Sequence, residues 1–98
     1  MIIVIGHIVV RPDGLEAVVT LARDHCARSR AEGGCLFHRV SQDCERATHL
    51  TFVEHWTDMD ALNAHFDLQA SQDFVSNLGP HLSEPPEMRL YEASEIPR

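Results

Sequence analysis

The feature that most constrains the fold is a β-branched run at the start of the chain, IIVIGHIVV, from Ile2 to Val10. Such residues favour strands, and Pro12 closes the run, so the sequence predicts a first strand over residues 2–11. Side chains alternate between the two faces of a strand, and here both alternating sets are largely apolar. We therefore expect both faces to be covered, one by helices and the other by a further surface.

The rest of the chain alternates helical and strand patterns in the order β-α-β-β-α-β. Apolar residues three and four apart indicate helices, whereas short β-branched and aromatic runs bounded by turn residues indicate strands. The predicted elements are a helix from Leu15 to a stop at Gly33 and Gly34, strands at 35–41 and 48–56, a helix capped by Asp58, a helical stretch at 71–78 and a strand at 87–93.

This order predicts an α+β, ferredoxin-like βαββαβ fold, one antiparallel sheet with helices on one face. The 98 residues suit a single domain spanning 1–98. The uncovered apolar face of the sheet needs a partner, and a second copy is the simplest one because a two-fold interface needs only one self-complementary surface. We therefore expect a homodimer.

Charge and cysteine content exclude several classes of partner. Eight Lys and Arg against fifteen Asp and Glu give 8 − 15 = −7 with His neutral, which argues against nucleic acid and anionic membranes. The three cysteines are an odd number without a C-x-x-C pair, as expected of reduced thiols in a cytoplasmic protein. The N-terminal run lacks the preceding basic residues and the length of a signal core or membrane span.

The seven histidines do not form a recognisable metal motif. Zinc sites favour short ligand spacings, such as two His four apart on a helix, and this chain has none. It also lacks a glycine-rich phosphate loop and the G-x-S-x-G and H-E-x-x-H motifs. The sequence therefore predicts no metal and no cofactor.

One spacing stands out, E-x-W-(x8)-H-(x8)-F, formed by Glu54, Trp56, His65 and Phe74. Trp56 ends the third strand just before the helix that carries His65, so it could wall a cavity between sheet and helices. If the odd-numbered face of the first strand meets the helices, His7 points into the same cavity. Either histidine could equally be a buried structural residue, and Trp56 could be core.

This spacing resembles the pattern of the antibiotic biosynthesis monooxygenase family of small dimeric α/β barrels. The Pro-x-Gly after the first strand and the Gly-Cys-Leu at 34–36 also fit that family. The resemblance implies a homodimer in which each subunit holds a cavity between sheet and helices. Some members oxidise reduced aromatics with O₂ and no cofactor, and a related branch degrades haem with a Trp, a His and a first-strand Asn. At the Asn position this chain has His7.

The resulting hypothesis is a cofactor-independent monooxygenase for a small reduced aromatic substrate of the quinol or anthrone type, with O₂ as co-substrate. Such chemistry needs a base that titrates near neutrality beside a dry aromatic slot. The predicted catalytic residues are His65, Trp56 and His7, and the predicted substrate-binding residues are Phe52, Phe74, His38 and Leu78. The alternatives are a non-enzymatic dimeric binding or stress-response protein and a haem-binding or haem-degrading monooxygenase.

Overall fold

A computed structural model describes residues 1–98 and contains the predicted order of elements. The strands are β1 (Ile2–Val9), β2 (Cys35–Gln42), β3 (His49–Trp56) and β4 (Glu87–Glu92). The helices are α1 (Leu15–Ser29), α2 (Met59–Asp67) and α3 (Gln69–Leu78), and short 3-10 turns occupy Pro12–Gly14 and Gly79–His81. The α+β, ferredoxin-like fold predicted from the sequence is confirmed.

The four strands form one antiparallel sheet in the order β2-β3-β1-β4. In the β1–β3 pair, Gly6 lies opposite Phe52 and His7 lies opposite Thr51. Directly paired residues point to the same face of a sheet. The even-numbered residues of β1 therefore share a face with Phe52 and Trp56.

The helices cover this even-numbered face, which corrects the expectation that the odd-numbered residues of β1 meet the helices. Val4 and Ile8 are almost fully buried, whereas Ile5 is 43% exposed. Both faces of the strand are apolar, so composition could not distinguish them, and the register with β3 decided the outcome. His7 consequently lies on the open face of the sheet, away from the helices.

The helix boundaries show how local signals act. Asp58 caps α2 as predicted, since its Oδ1 accepts a hydrogen bond from the Ala61 N–H at 2.9 Å. However, α1 ends at Ser29, before the predicted stop. Gly34 instead allows the loop before β2 to lie close against α2. Its φ is +82°, and a Cβ there would meet the Ala61 Cβ at 2.5 Å.

Two groups of buried apolar side chains form the core between sheet and helices. The larger group joins β1, β3, α1 and α3 and contains Phe52, Phe74 and Leu78. The smaller group consists of Ile2, Val4, Trp56 and Leu62. A row of polar side chains lies among these buried residues, and the candidate site is built from it. None of the helices has the length and hydropathy required to cross a membrane.

Candidate active site

A cavity of about 380 Å³ lies between the even-numbered face of the sheet and the helices. Its walls are mainly apolar and include the side chains of Phe52, Phe66, Phe74 and Leu78. Val75 and Met88, which are 63% and 54% exposed, border it where α3 faces the start of β4. The size falls in the range of small-molecule sites, and the aromatic lining suits a flat apolar ligand.

The polar end of the cavity is built around His65 on α2. Its Nδ1 lies 2.8 Å from Oε1 of Glu32, in the loop after α1, and its side chain is 3% exposed. A carboxylate can only accept, so Nδ1–H donates to Glu32 and the lone pair is left on Nε2. The second nitrogen of a cavity-lining imidazole is therefore free to accept a proton or bind a ligand.

Glu54 on β3 places a carboxylate at the same end of the cavity. Its Oε1 accepts the Trp56 indole N–H at 2.9 Å and lies 3.3 Å from His38 Nε2 and 3.9 Å from His65 Nε2. Burial alone would raise the pKa of Glu54, but the His38 ring, the Trp56 donor and the His65 ring outweigh it, so its pKa is lowered. A buried negative charge thus faces two imidazoles.

His25 on α1 completes the polar end. Its ring stacks on Phe74 with centroids 4.0 Å apart and planes within 5°, and its exposed fraction is 6%. Burial, reinforced by the neighbouring His38 and His65 rings, lowers the pKa of His25 to about 3. His25 is therefore a neutral imidazole at physiological pH.

His38 on β2 lies behind this group and is 1% exposed. Its Nδ1 is 3.2 Å from Cys26 Sγ, and burial raises the pKa of that thiol to about 11, so the sulfur stays protonated. The His38 Nε2 atom is buried without a hydrogen-bond partner, although it lies 3.3 Å from Glu54 Oε1. Such an orphaned nitrogen is rare in a native interior.

Comparison with known proteins agrees with this architecture. Residues 1–77 match the family model described as antibiotic biosynthesis monooxygenase. The chain belongs to this family. An uncharacterized protein of Synechocystis sp. is 31% identical over 94 residues, which is 96% of this chain and 64% of that protein. The chain thus spans less than two thirds of that relative's length.

Several solved structures have the same fold as this chain. One crystal structure of an antibiotic biosynthesis monooxygenase is 25% identical, with a TM-score of 0.90 over 97% of this chain and 100% of the other. A candidate member from Deinococcus radiodurans is 24% identical, with a TM-score of 0.94 over 100% and 97% of the two chains. PA3566 from Pseudomonas aeruginosa is 26% identical, with a TM-score of 0.86 over 96% and 94%.

The structure brings together many, but not all, of the residues predicted from the sequence. His65, Phe52, Phe74 and Leu78 line the cavity. Trp56 does not line it: this side chain is fully buried in the smaller core group and contacts His65 from behind, with ring centroids 4.7 Å apart. The predicted aromatic wall is therefore provided by phenylalanines.

Two predicted histidines also take other places. His38 is buried behind Glu54 and is not among the cavity-lining residues. The His7 backbone borders the cavity region, but its imidazole belongs to the open face, where Nε2 lies 3.3 Å from His49 Nδ1 and Nδ1 lies 3.5 Å from Thr51 Oγ1. The expected position of the His7 side chain on the cavity floor is wrong, since the strand register turns it away.

Sequence reasoning missed His25 and Glu32. A signal for His25 exists, because it lies three residues after Ala22 and seven after Val18, on the buried face of α1. Its proximity to His38 and His65 has no sequence signal, since the three belong to different elements. Glu32 lies in a loop, and only the tertiary contact with His65 reveals it.

Proposed function

We propose that this family member oxidises a small, flat, electron-rich aromatic substrate of the quinol or anthrone class with O₂, without flavin or haem. The observation that carries the proposal is the His65 Nε2 lone pair at the polar end of an aromatic cavity, fixed there by the Nδ1–H···Glu32 hydrogen bond of 2.8 Å. This arrangement matches the need for a positioned base beside a dry slot.

The reaction begins with transfer of the phenolic proton of the substrate to His65 Nε2. The resulting phenolate donates one electron to O₂, and the substrate radical and superoxide combine to form a peroxide on a ring carbon. Cleavage of the O–O bond then releases water and leaves one oxygen atom as a carbonyl of the product. The two hydrogens lost by the substrate leave in that water molecule, so atoms and electrons balance.

Two carboxylates lie beside the His65 imidazole during this step. The Glu32 carboxylate holds Nδ1–H, and the ionised Glu54 lies 3.9 Å from Nε2, so both stabilise the imidazolium that forms. The neutral His25 adds no competing positive charge. Trp56 acts as a positioning residue, because its indole N–H holds Glu54 in place at 2.9 Å.

The haem alternative has less support. In the haem-degrading branch that the sequence resembles, a first-strand Asn contributes to the pocket, whereas here His7 occupies that position. The His7 imidazole pairs with His49 and Thr51 on the opposite face of the sheet. The polar group that this branch brings to its pocket from the first strand is therefore missing.

Oxygen uptake with reduced naphthoquinones and anthrones tests the proposal. We expect uptake above the rate of spontaneous autoxidation, and with ¹⁸O₂ one labelled oxygen atom should appear in the quinone product. Superoxide dismutase and catalase serve as controls for reactions in bulk solution. Ligand binding by calorimetry without turnover on any of these compounds would instead favour the binding-protein alternative.

The open face of the sheet supports the homodimer as a second part of the proposal. Ile3, Ile5 and Val9 on β1 and Val53 on β3 form an apolar strip that no element of this chain covers. Large apolar surfaces on small proteins mark interaction sites, and a second copy can cover this strip by a two-fold contact.

We expect Ile5→Lys to dissociate the dimer, because a buried unpaired charge costs several kcal/mol. Lysine is preferable to glutamate here, since Arg89 lies directly opposite Ile5 on β4 and would neutralise a carboxylate. Light scattering should show about 22 kDa for wild type, twice the 11.0 kDa chain mass, and 11.0 kDa for the variant.

Val75→Lys on the helical layer is the control and should remain dimeric. A monomeric wild type at micromolar concentration would refute the interface.

A further inference from the structure

We propose that His25, His38 and His65 form a binding site for a divalent transition-metal ion, with the Glu54 carboxylate as a fourth ligand. One ring nitrogen from each histidine lies within 4.8 Å of the corresponding atoms of the other two, and all three residues are buried. This proposal rests on the geometry of the cluster and does not depend on the proposed oxidation. It replaces the expectation, drawn from sequence spacing alone, that the chain holds no metal.

The distances fit a site that closes on the ion by small side-chain movements. Metal–imidazole bonds of about 2.0–2.1 Å place ligand nitrogens roughly 3.4 Å apart in a tetrahedral site. The cluster must therefore contract by about an ångström, which rotation of the imidazole rings can supply. The His25 side chain makes no hydrogen bond that would resist this movement, since its main contact is the stack on Phe74.

Two of the rings are already held as metal-binding histidines are. His65 donates Nδ1–H to Glu32, and His38 places Nδ1 3.2 Å from Cys26 Sγ, where an N–H can donate to the sulfur. Both contacts leave Nε2 as the ligating atom, and such outer contacts fix the tautomer and orientation of metal ligands. The orphaned His38 Nε2 acquires a partner when a cation binds.

The negative charge of the site also favours the binding of a cation. Glu54 Oε1 lies within 4 Å of the Nε2 atoms of His38 and His65 and is the only carboxylate oxygen placed beside both. Three imidazoles and one carboxylate suit the Fe²⁺ to Zn²⁺ series, which prefers nitrogen and mixed nitrogen–oxygen ligands. Bound metal would occupy the His65 lone pair that the proposed oxidation uses as proton acceptor, so the metal-bound and proton-accepting states exclude each other.

Titration of chelator-treated wild-type protein with Co²⁺ tests the site directly. We expect one Co²⁺ per chain by equilibrium dialysis with elemental analysis, and visible absorption bands of a low-symmetry site. His25→Gln and His38→Gln should each weaken binding by at least tenfold. The double variant His7→Gln/His49→Gln is the matched control, because it removes a histidine pair of similar spacing from the opposite face and should bind as wild type does.

Zn²⁺ titration of ¹⁵N-labelled wild type, followed through the imidazole resonances, provides a readout that needs no variant to fold. We expect three histidine spin systems to shift together, and the resonances of His55 and His81 to stay unchanged. Absence of stoichiometric binding at millimolar Co²⁺ would overturn the proposal. Loss of binding in the His7/His49 variant, or its retention in both His25→Gln and His38→Gln, would do the same. Because no activity is measured, these outcomes leave the proposed oxidation to its own test.

Discussion

His65→Ala should lower kcat/KM for O₂-dependent oxidation of a reduced quinone or anthrone at least about 100-fold, since general-base help is worth about 10²–10⁴-fold. The variant removes the only imidazole that both lines the cavity and is held by a carboxylate, through Nδ1–H···Glu32. We expect the loss mainly in kcat, because proton transfer occurs in the reaction step while the apolar walls still bind the substrate. Oxygen uptake against substrate concentration measures both constants.

Added imidazole and a control variant separate this catalytic role from a structural one. Free imidazole should partly restore the rate of His65→Ala, since the deleted side chain leaves space at the end of an accessible cavity. His55→Ala, on the open face of the same sheet, should keep the wild-type rate. If His65→Ala oxidises the substrate as fast as wild type while its thermal unfolding is unchanged, the assignment of the base is refuted.

Trp56→Ala should lower the free energy of unfolding by roughly 3–5 kcal/mol, the usual cost of removing a buried tryptophan. Trp56 is fully buried between Ile2, Val4 and Leu62, and its loss also leaves the buried Glu54 carboxylate without its 2.9 Å indole donor. Domains are stable by only about 5–15 kcal/mol, so the variant should lose much of its stability. Urea unfolding followed by circular dichroism measures the change.

Two comparisons divide this loss into packing and hydrogen bonding. Leu62→Ala empties space in the same core group without touching a polar contact, and we expect about 2–5 kcal/mol from packing alone. Trp56→Phe keeps an aromatic ring but removes the donor to Glu54, so it should cost about 1–3 kcal/mol for the unsatisfied acceptor. If Trp56→Phe is as stable as wild type, the Trp56–Glu54 hydrogen bond does not hold the carboxylate in place.

Much of the architecture follows from local patterns. The β-branched run of β1, the three-four periodicity of α1 and the Asp58 cap each predicted an element that is present. The start of the second helix followed from Asp58, whereas His65 and Phe74 became site candidates through the resemblance to the family. The end of α1 did not follow from local patterns: the helix ends at Ser29, and Gly34 lies against α2.

The sequence by itself determined the order of strands and helices and carried the resemblance to the family, and it named His65, Phe52, Phe74 and Leu78 among the candidate site residues. Only the tertiary structure decided which face of β1 meets the helices. Both faces are apolar, and the pairing with β3 places the even-numbered residues of β1 on the same face as Phe52 and Trp56. The same packing moved the His7 ring out of the site, placed Trp56 behind Glu54, and joined His25, His38 and His65 from α1, β2 and α2. Contacts between residues so far apart along the chain arise from the docking of whole elements, which leaves no periodic trace in the sequence.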